Sequence, residues 1–457
     1  MSSKENNTEY AGQSVVVMGL GLHGGGLESA RYLALHAAKV TVTDLRDAET
    51  LAPSISKLEG LPIRYVLGHH DIEDFKSSDF IVKNPAVKVD SPYLAAARRV
   101  ETDISIFLSN CPARLIAVTG SKGKSSVSSA IYWGLQNHAK LHPGTGKAYL
   151  GGNITISPLS FLDQLEAADT VVLELSSWQL GDLRGRRTAD GKQALLKPRI
   201  AVLTAIMSDH QDRYGNMEEY VADKRVIYQG QEKEDLTIVG EDAWGRSFAE
   251  ESRARKLVYS ATQQGPGNRE DLVPEKVLTP GLHQRQNLLC AALALRDLGF
   301  DLKEIRESMA SFPGIEHRLE FFHEAKELRF YNDTAATIPE AAAAAIRAFE
   351  RPPIIVCGGT DKALDFSPLI QASSEAKALI LLAGTASLKI KALLEARGIA
   401  YEGPFDELDA AVKKAGQLAS SGDIIVLSPG CASFGMFINE FDRGAKWKEA
   451  VRRLFPR

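Results

Sequence analysis

The stretch LIAVTGSKGKSSVSSAIYWGLQ (115–136) sets the reading of this chain: an apolar run, a loop of glycines and lysines, then a helix-forming run. A strand that delivers its chain into a Gly-rich turn and on into a helix points backbone N–H groups at the turn, where the helix dipole is positive. Gly120, Ser121, Lys122, Gly123, Lys124, Ser125 and Ser126 form that turn. Such a loop wraps phosphates, with Lys124 as a point charge and the Ser125 hydroxyl on Mg²⁺, so the reading is an ATP site. The loop is shorter than a regular GxxxxGK[ST], whose first glycine would fall on Val118.

The same alternation runs outward in both directions. SVVVMGL (14–20), KVTVTDL (39–45), IRYVLG (63–68) and DFIVKNP (79–85) read as strands of a first segment, with helical stretches around 25–37, 47–58 and 91–100. VVLELSS (171–177), RIAVLTA (199–205), LTIVG (236–240) and the helical run 281–300 continue the central segment, with surface loops expected at 184–198 and 262–275. IIVCGG (354–359), ALILLAG (378–384), DIIVLSPG (423–430) and a last helix near 440–455 make a third. The expected class is α/β with three domains, at 1–110, 111–314 and 315–457: a Rossmann-like domain, a P-loop-type ATPase domain and a second Rossmann-like domain. The 457 residues agree with about three domains at roughly 150 residues each.

Composition excludes several classes. Fifty-four Lys plus Arg against 58 Asp plus Glu leave a net charge of -4 with both signs interspersed, which argues against a nucleic-acid footprint. No apolar run is long enough to span a membrane and the polar opening MSSKENNTEYAGQ has no signal-peptide core, so a cytoplasmic protein is expected. Cys111, Cys290, Cys357 and Cys431 are scattered and read as buried thiols.

Further motifs sit where strands end. Gly19-Leu20-Gly21-Leu22-His23-Gly24 is a GxGxxG between a strand and a helix, and Asp44 closes the next strand. That pattern binds a nucleotide of some kind, with a ligand-free tight turn as the alternative. Glu174 is a carboxylate in an apolar strand, which calls for a partner: Mg²⁺, or an ion pair. His210, in Asp209-His210-Gln211-Asp212, can ligate metal or contact an anion, although a lone His is more often a cap or core hydrogen-bonder. Lys224, on an amphipathic stretch, is by composition a solvated lysine. Asp333 and Thr337 lie among cap-like residues before Pro339, while the turns Gly358–Lys362 and Ser428–Ser433 follow apolar strands.

Taken together, GLGLHGGG, TGSKGKSS, GGNI, LELSSWQL, DHQDRYGNMEEYVADK, GLHQRQN, HR, YNDTAAT, GGTDK and SPGCASF resemble, in order, the Mur ligases, the ATP-dependent amino-acid-adding enzymes of peptidoglycan precursor synthesis. The similarity is nearest to the MurD-type branch, which adds D-glutamate to UDP-N-acetylmuramoyl-L-alanine through an acyl phosphate. The resemblance implies a UDP site at Gly21, Leu22, His23, Asp44, Asn84, Asn153 and His210. It also implies ATP contacts at the phosphate loop and at Asn287, Arg318 and Asp333, and glutamate contacts at Thr337, Lys362 and Ser433. The catalytic set it implies is Lys124, Glu174, His210 and Lys224, with Ser125, Glu174, His210 and Lys224 holding two Mg²⁺ ions. Lys224 matches a lysine that the family carbamylates. The expected partners are the two small-molecule substrates, with no nucleic acid and no membrane, and the expected state is a monomer.

The chain departs from the family at Ala335, Gly435, Ile438 and Glu440, where Lys, Asp, Lys and an aromatic are usual. An acidic residue beside a glutamate pocket repels the substrate unless it faces away. Addition of L-glutamate or another amino acid, and a folate-polyglutamylating relative, therefore stand as rivals. An NAD-dependent oxidoreductase, resting on Gly19, Gly21, Gly24 and Asp44, and a non-catalytic nucleotide sensor are the readings from other classes.

Overall fold

The computed structural model describes residues 10–22, 24–88, 90–154, 156–207, 214–259 and 272–457. The chain divides into two compact units, Met1–Arg269 with Leu289–Glu304, and Glu270–Leu288 with Ile305–Arg457.

The first unit carries two parallel sheets. In the first sheet β1 (Ser14–Met18), β2 (Lys39–Asp44), β3 (Ile63–Leu67), β4 (Phe80–Lys83) and β5 (Val100–Glu101) lie in the order β3-β2-β1-β4-β5. The strand order reverses at β1, which lies between β2 and β4, so the loop after β1 opens at the switch point where such sheets bind ligands. Alternation along β1 divides its side chains. Val15 and Val17 join the core shared with the central sheet, while Val16 and Met18 face a smaller cluster with Phe75 and Ile81.

The second sheet contains β6 (Arg114–Thr119), β7 (Ala148–Gly152), β8 (Thr170–Glu174), β9 (Ile200–Leu203), β10 (Leu236–Gly240) and β11 (Arg255–Tyr259), in the order β11-β10-β9-β6-β8-β7. Its switch point is at β6, between β8 and β9, and the Gly-rich turn leaves from there. Both faces of β6, β8 and β9 are buried over most of their length, which is why these strands read as continuous apolar runs.

The second unit holds a mixed sheet of β12 (Glu320–Ala325), β13 (Leu328–Asn332), β14 (Ile354–Cys357), β15 (Ala378–Leu382), β16 (Glu402–Phe405) and β17 (Ile424–Leu427). Their order is β12-β13-β17-β14-β15-β16, with β12 antiparallel and the rest parallel. Ile355 and Cys357 face one core; Ile354 and Val356 face the other, which the helix Glu440–Leu454 covers with the buried Trp447.

The expected α/β class with three sheet-bearing domains holds. The apolar strands and the helices Leu282–Asp297 and Glu440–Leu454 lie where they were expected. Six strands went unread: β5, β7, β11, β12, β13 and β16. The helical stretch expected over 91–100 is only Pro92–Ala96, because the chain turns extended again at β5. Of the two expected loops, 184–198 holds no helix or strand and is tied by an Arg187–Ala194 bridge, while most of 262–275 lies outside the described residues. All four cysteines are free; three are buried and Cys111 is half-buried. Among the described residues no helix is long and apolar enough to cross a membrane.

Candidate functional site

The first unit contains a cleft of about 470 Å³ where the turns following β1, β4, β7 and β8 converge with the start of the helix Lys124–Leu141 and the helix Met217–Gln229. Gly21, Leu22, Asn84, Lys124, Asn153 and Lys224, each expected from sequence, line it together.

The glycine turn after β1 is shaped by close backbone approach. A Cβ on Gly26 would fall 2.0 Å from the Gly19 carbonyl oxygen, so only glycine lets the helix Gly25–Leu35 start this near the strand end. Asp44 secures the turn from β2. Its Oδ2 accepts from the Gly21 amide at 3.2 Å and from Arg46 Nη2 at 3.1 Å, and its Oδ1 accepts from the Arg46 amide at 3.0 Å. Burial works against the charge, but the Arg46 side chain and these amides outweigh it and hold the Asp44 carboxyl below its ordinary range. Arg46 also lines the cleft, placing a cation there that the sequence reading did not pick out. Asn84 holds its own turn, its Oδ1 accepting from the Ala86 amide at 3.0 Å.

In the phosphate loop, Gly123 sits at φ 89° and caps the helix. As first residues of a helix, Lys124, Ser125 and Ser126 present amides with no carbonyl four residues back. The Lys124 ammonium donates to the carbonyls of Gly120 at 3.0 Å and Ser121 at 3.1 Å, folded over the loop. Ser121 ties the loop to the rest of the unit. Its amide donates to Ala205 O at 2.8 Å, its hydroxyl donates to Met207 O at 2.9 Å, and the Met207 amide donates back to it at 2.9 Å. Ser121 thus fastens the loop to the segment after β9. Lys122 is held more loosely, its amide 3.4 Å from Ala205 O and its carbonyl accepting from Thr204 Oγ1 at 2.6 Å.

Glu174 ends β8 with 1% exposure. Its Oε1 accepts from Asn153 Nδ2 at 3.1 Å, which joins two expected site residues, while Oε2 is buried with no hydrogen-bond donor among the described residues. A buried carboxylate oxygen without a donor is costly, and a cation satisfies it. That oxygen and the Ser125 hydroxyl of the loop are oxygen donors of the kind that Mg²⁺ takes.

Lys224 is not a solvated lysine. It is 1% exposed, donates to Gly120 O at 2.9 Å and lies 4.6 Å from the centre of the Tyr220 ring. The side chain passes beneath the phosphate loop because its helix packs against that end of β6. His23 and His210 lie outside the described residues.

Ser176, Trp178 and Gln179 line the same cleft. Ser176 and Gln179 form a reciprocal capping box at the start of the helix Ser177–Asp182, an S-x-x-Q pattern visible in the sequence but assigned no role there. Asp103 is a second unread member. It is buried, accepts from Ser157 Oγ at 3.1 Å, and burial pushes its carboxyl up.

The second unit places Asp333 at the end of β13, where its Oδ2 accepts from Ser428 Oγ at 2.6 Å and its Oδ1 from the Leu319 amide at 3.1 Å. It does not cap the helix Pro339–Arg347, whose first position follows Ile338 with no side-chain cap. Burial pushes the Asp333 carboxyl up to about 7, against the lowering effect of those hydrogen bonds and of the Arg318 charge. Asn287 bonds Gln284 within its helix at 3.1 Å.

Lys362 and Ser433 belong to turns after the adjacent strands β14 and β17, and the Thr360 amide donates to Ala432 O at 2.9 Å to pair them. The Gly430 amide donates to Ala336 O at 2.8 Å and brings the Thr337 segment to the same edge. Lys362 Nζ lies 5.3 Å from the Phe434 ring centre. Buried Arg443 ties this edge together, donating to Thr334 O at 2.9 Å and Cys431 O at 3.2 Å.

Two departures have a physical reason. Gly435 adopts φ 100°, which disfavours the usual Asp, and the Glu440 carbonyl accepts from Thr334 Oγ1 at 2.8 Å at a helix start, where a negative side chain is favourable. Ile438 is 76% exposed and nothing in the structure explains it.

Three family descriptions match successive parts of the chain: a Mur ligase MurD-like N-terminal domain over 13–106, a Mur ligase middle domain over 118–295, and a Mur ligase glutamate ligase domain over 317–431. The chain is 39% identical to a UDP-N-acetylmuramoylalanine--D-glutamate ligase from Treponema pallidum, over 97% of its own length and 98% of the relative's. It is likewise 39% identical to the enzyme of that name from Borreliella afzelii, over 98% and 99%. The crystal structure of UDP-N-acetylmuramate-alanine ligase MurC from Thermotoga maritima shares the fold at a TM-score of 0.55 and 17% identity, over 97% and 100% of the two chains. None of these relatives favours the oxidoreductase or sensor reading, and Asp44, on which the oxidoreductase reading leaned, spends its carboxylate on Gly21 and Arg46. With matches in order along nearly its whole length, the chain belongs to the Mur ligase family.

Proposed function

We propose that the chain is an ATP-dependent amide-forming ligase that joins D-glutamate to UDP-N-acetylmuramoyl-L-alanine in peptidoglycan precursor synthesis, acting in the cytoplasm as a monomer. The observation that carries this reading is the single cleft lined by the glycine turn, Asn153, Lys124 and Lys224. A carboxylate acceptor bound at the glycine turn would there meet a phosphate donor bound at the loop.

In this reading the UDP moiety lies against Gly21, Leu22, His23 and Asp44, and the acyl end reaches Asn84, Asn153 and His210. The ATP phosphates lie along the phosphate loop, and Asn287, Arg318 and Asp333 are the nucleoside contacts that the family resemblance implies. The terminal carboxylate of the nucleotide sugar attacks the γ-phosphorus, ADP leaves, and an acyl phosphate forms. Lys124, unfolded from the loop carbonyls by the arriving phosphates, offsets charge on the transferring group. The glutamate α-amine, oriented by Thr337, Lys362 and Ser433 through the substrate carboxylates, then attacks the acyl carbon, loses a proton and expels phosphate. Bound Mg²⁺, two ions in this proposal, supplies charge neutralisation at the phosphates, held by Ser125, Glu174, His210 and Lys224. Lys224 joins that set only as its carbamate, which needs its neutral amine to add to CO₂ and release a proton; its place against the Gly120 carbonyl, at the phosphate loop, supports that role. The domain division at 1–110, 111–314 and 315–457 is part of the proposal, supported by the spans of the three family matches.

The test is phosphate release by the purified protein with Mg-ATP, bicarbonate and UDP-N-acetylmuramoyl-L-alanine, in parallel with D-glutamate, L-glutamate or no amino acid, with product mass measured. A new amide with D-glutamate is expected. Product with L-glutamate alone would assign the departures at Ala335, Gly435, Ile438 and Glu440 to a changed pocket, and no turnover in folded protein would refute the ligase reading.

A further inference from the structure

The helix Lys124–Leu141 begins at the phosphate loop and ends at a cluster that the proposed reaction does not use. His138 lies on its last turn and His142 caps it, the His142 amide donating to His138 O at 2.8 Å. The two rings lie with centres 4.3 Å apart, and His138 stacks on Phe300 at 3.9 Å. Both aim a nitrogen at one carboxylate from the first turn of the helix Leu302–Ser311: His138 Nδ1 is 2.9 Å from Glu304 Oε2, and His142 Nε2 is 2.5 Å from Glu304 Oε1. The hydrogen bonds from His142 and then His138 hold the Glu304 carboxyl below its ordinary range.

The geometry points to a site for a transition-metal dication of the zinc type, ligated by His138, His142 and Glu304 with a fourth position open to water. Two imidazoles and one carboxylate are a borderline-soft donor set that selects such ions over Mg²⁺. One atom from each residue lies within 4.8 Å of the others, against about 3.3–3.6 Å between ligands around a tetrahedral ion with bonds of about 2.0–2.2 Å, so side-chain adjustment closes the site. A dication would be held through one nitrogen lone pair of each imidazole and an oxygen of the carboxylate, all three of which already converge. Entry is open, because the His142 side chain is 46% exposed while the stack on Phe300 fixes the partner ring.

A second cluster shows the contrast. Glu316, His317 and Glu320 also converge, but there Lys448 Nζ reaches both carboxylates, at 2.7 and 3.1 Å, and His317 Nδ1 lies 2.9 Å from Asn332 Nδ2. A built-in ammonium already occupies the place of the cation.

The experiment is calorimetric titration of Zn²⁺ into the chelator-stripped full chain, with Mg²⁺ and a non-hydrolysable ATP analogue present at saturation to occupy the phosphate site. Co²⁺ titration, read by visible absorption, gives the coordination. Expected is one Zn²⁺ site that weakens by about tenfold or more in both His142→Gln and Glu304→Gln. His142 is exposed enough, and Gln is near enough in shape to Glu, for both variants to fold, which their metal-free melting curves check. No Zn²⁺ site in the wild-type chain, or a site that survives both substitutions in folded protein, would overturn the assignment.

Discussion

Replacing Asp333 by asparagine removes a carboxyl that the fold holds against its own ionisation, and the effect can be sized from its surroundings. The wild-type group shifts from 3.8 to about 7 because burial outweighs Ser428, the Leu319 amide and Arg318. At about 1.4 kcal/mol per unit the full shift corresponds to about 4 kcal/mol. The sign follows from the protons bound. The native state holds a proton that the unfolded chain has lost, so the contribution is complete below pH 3.8, falls as pH rises, and is gone above about 7. Between pH 5 and 8 the wild-type second unit should lose about 2.5 kcal/mol that the Asp333→Asn variant does not lose. The asparagine carbonyl can accept from the Leu319 amide while its NH₂ donates to the Ser428 hydroxyl, so no buried group is orphaned. Trp447 supplies the probe: it belongs to the second unit and is fully buried, its indole N–H donating to Tyr331 O at 3.0 Å, two residues from the mutated position. With Trp133, Trp178 and Trp244 changed to phenylalanine, urea unfolding followed by Trp447 fluorescence reports on that unit. Other groups, His317 among them, titrate in both proteins, so the difference between variant and wild type is the readout. A difference that stays constant within about 0.5 kcal/mol from pH 5 to 8, or that moves in favour of the wild type as pH rises, would refute the reasoning.

Three further outcomes follow from the first unit. Lys124→Ala should lower turnover by about 10²–10³-fold with unchanged melting temperature, since it removes a partly buried cation from the loop while leaving the Ser121 tie intact; steady-state phosphate release measures it. Gly120→Ala should destabilise the unit by about 1–3 kcal/mol in denaturant melts, because the new Cβ would fall 1.9 Å from Thr204 Oγ1 at a φ of 146°. Lys83→Met should cost about 3–5 kcal/mol, because it removes the buried ammonium 2.8 Å from Asp182, a carboxylate whose charge also raises the Asp103 carboxyl. The double replacement Lys83→Met with Asp182→Leu should recover most of that loss.

The sheets were legible where burial on both faces writes an unbroken apolar run. β1, β6, β9, β14 and β17 are of this kind, and each was read within a few residues. The strands missed are those whose side chains do not all go inward. β11 (RKLVY) begins with two exposed basic residues, β16 (EGPF) carries a proline at the sheet edge, and β7 (AYLGG) ends in glycines because Gly152 lies against the Glu174 carbonyl. A one-sided or edge strand lacks the pattern that double burial imposes, and the hairpin β12–β13 turns through Lys326 and Glu327 at positive φ with none of the usual turn residues.

For the site, sequence identified residue types better than their surroundings. Lys124 and Glu174 stand where a strand end or helix start must place them, so their positions followed from local order. Lys224 could not be read that way. Its neighbours on the helix are Asp223 and Arg225, and nothing local distinguishes it from a solvated lysine; its burial is decided by packing of the whole helix against β6, more than a hundred positions earlier in the chain. Nor does its place in the loop announce the tie that Ser121 makes, its hydroxyl donating to Met207 O. A phosphate loop without the usual length has fewer residues to make its turn, and this chain makes up for that with tertiary ties: Ser121 to the segment after β9, Thr204 to Lys122, and Lys224 to Gly120. Holding such a loop open for a nucleotide is therefore a task shared with residues outside it, and Lys224 stands both among those ties and among the groups proposed to act on the substrate. Carbamylation would exchange the first of these tasks for the second, since a carbamate has no ammonium to donate to Gly120, and the loop would then rely on Ser121 and Thr204 for its hold.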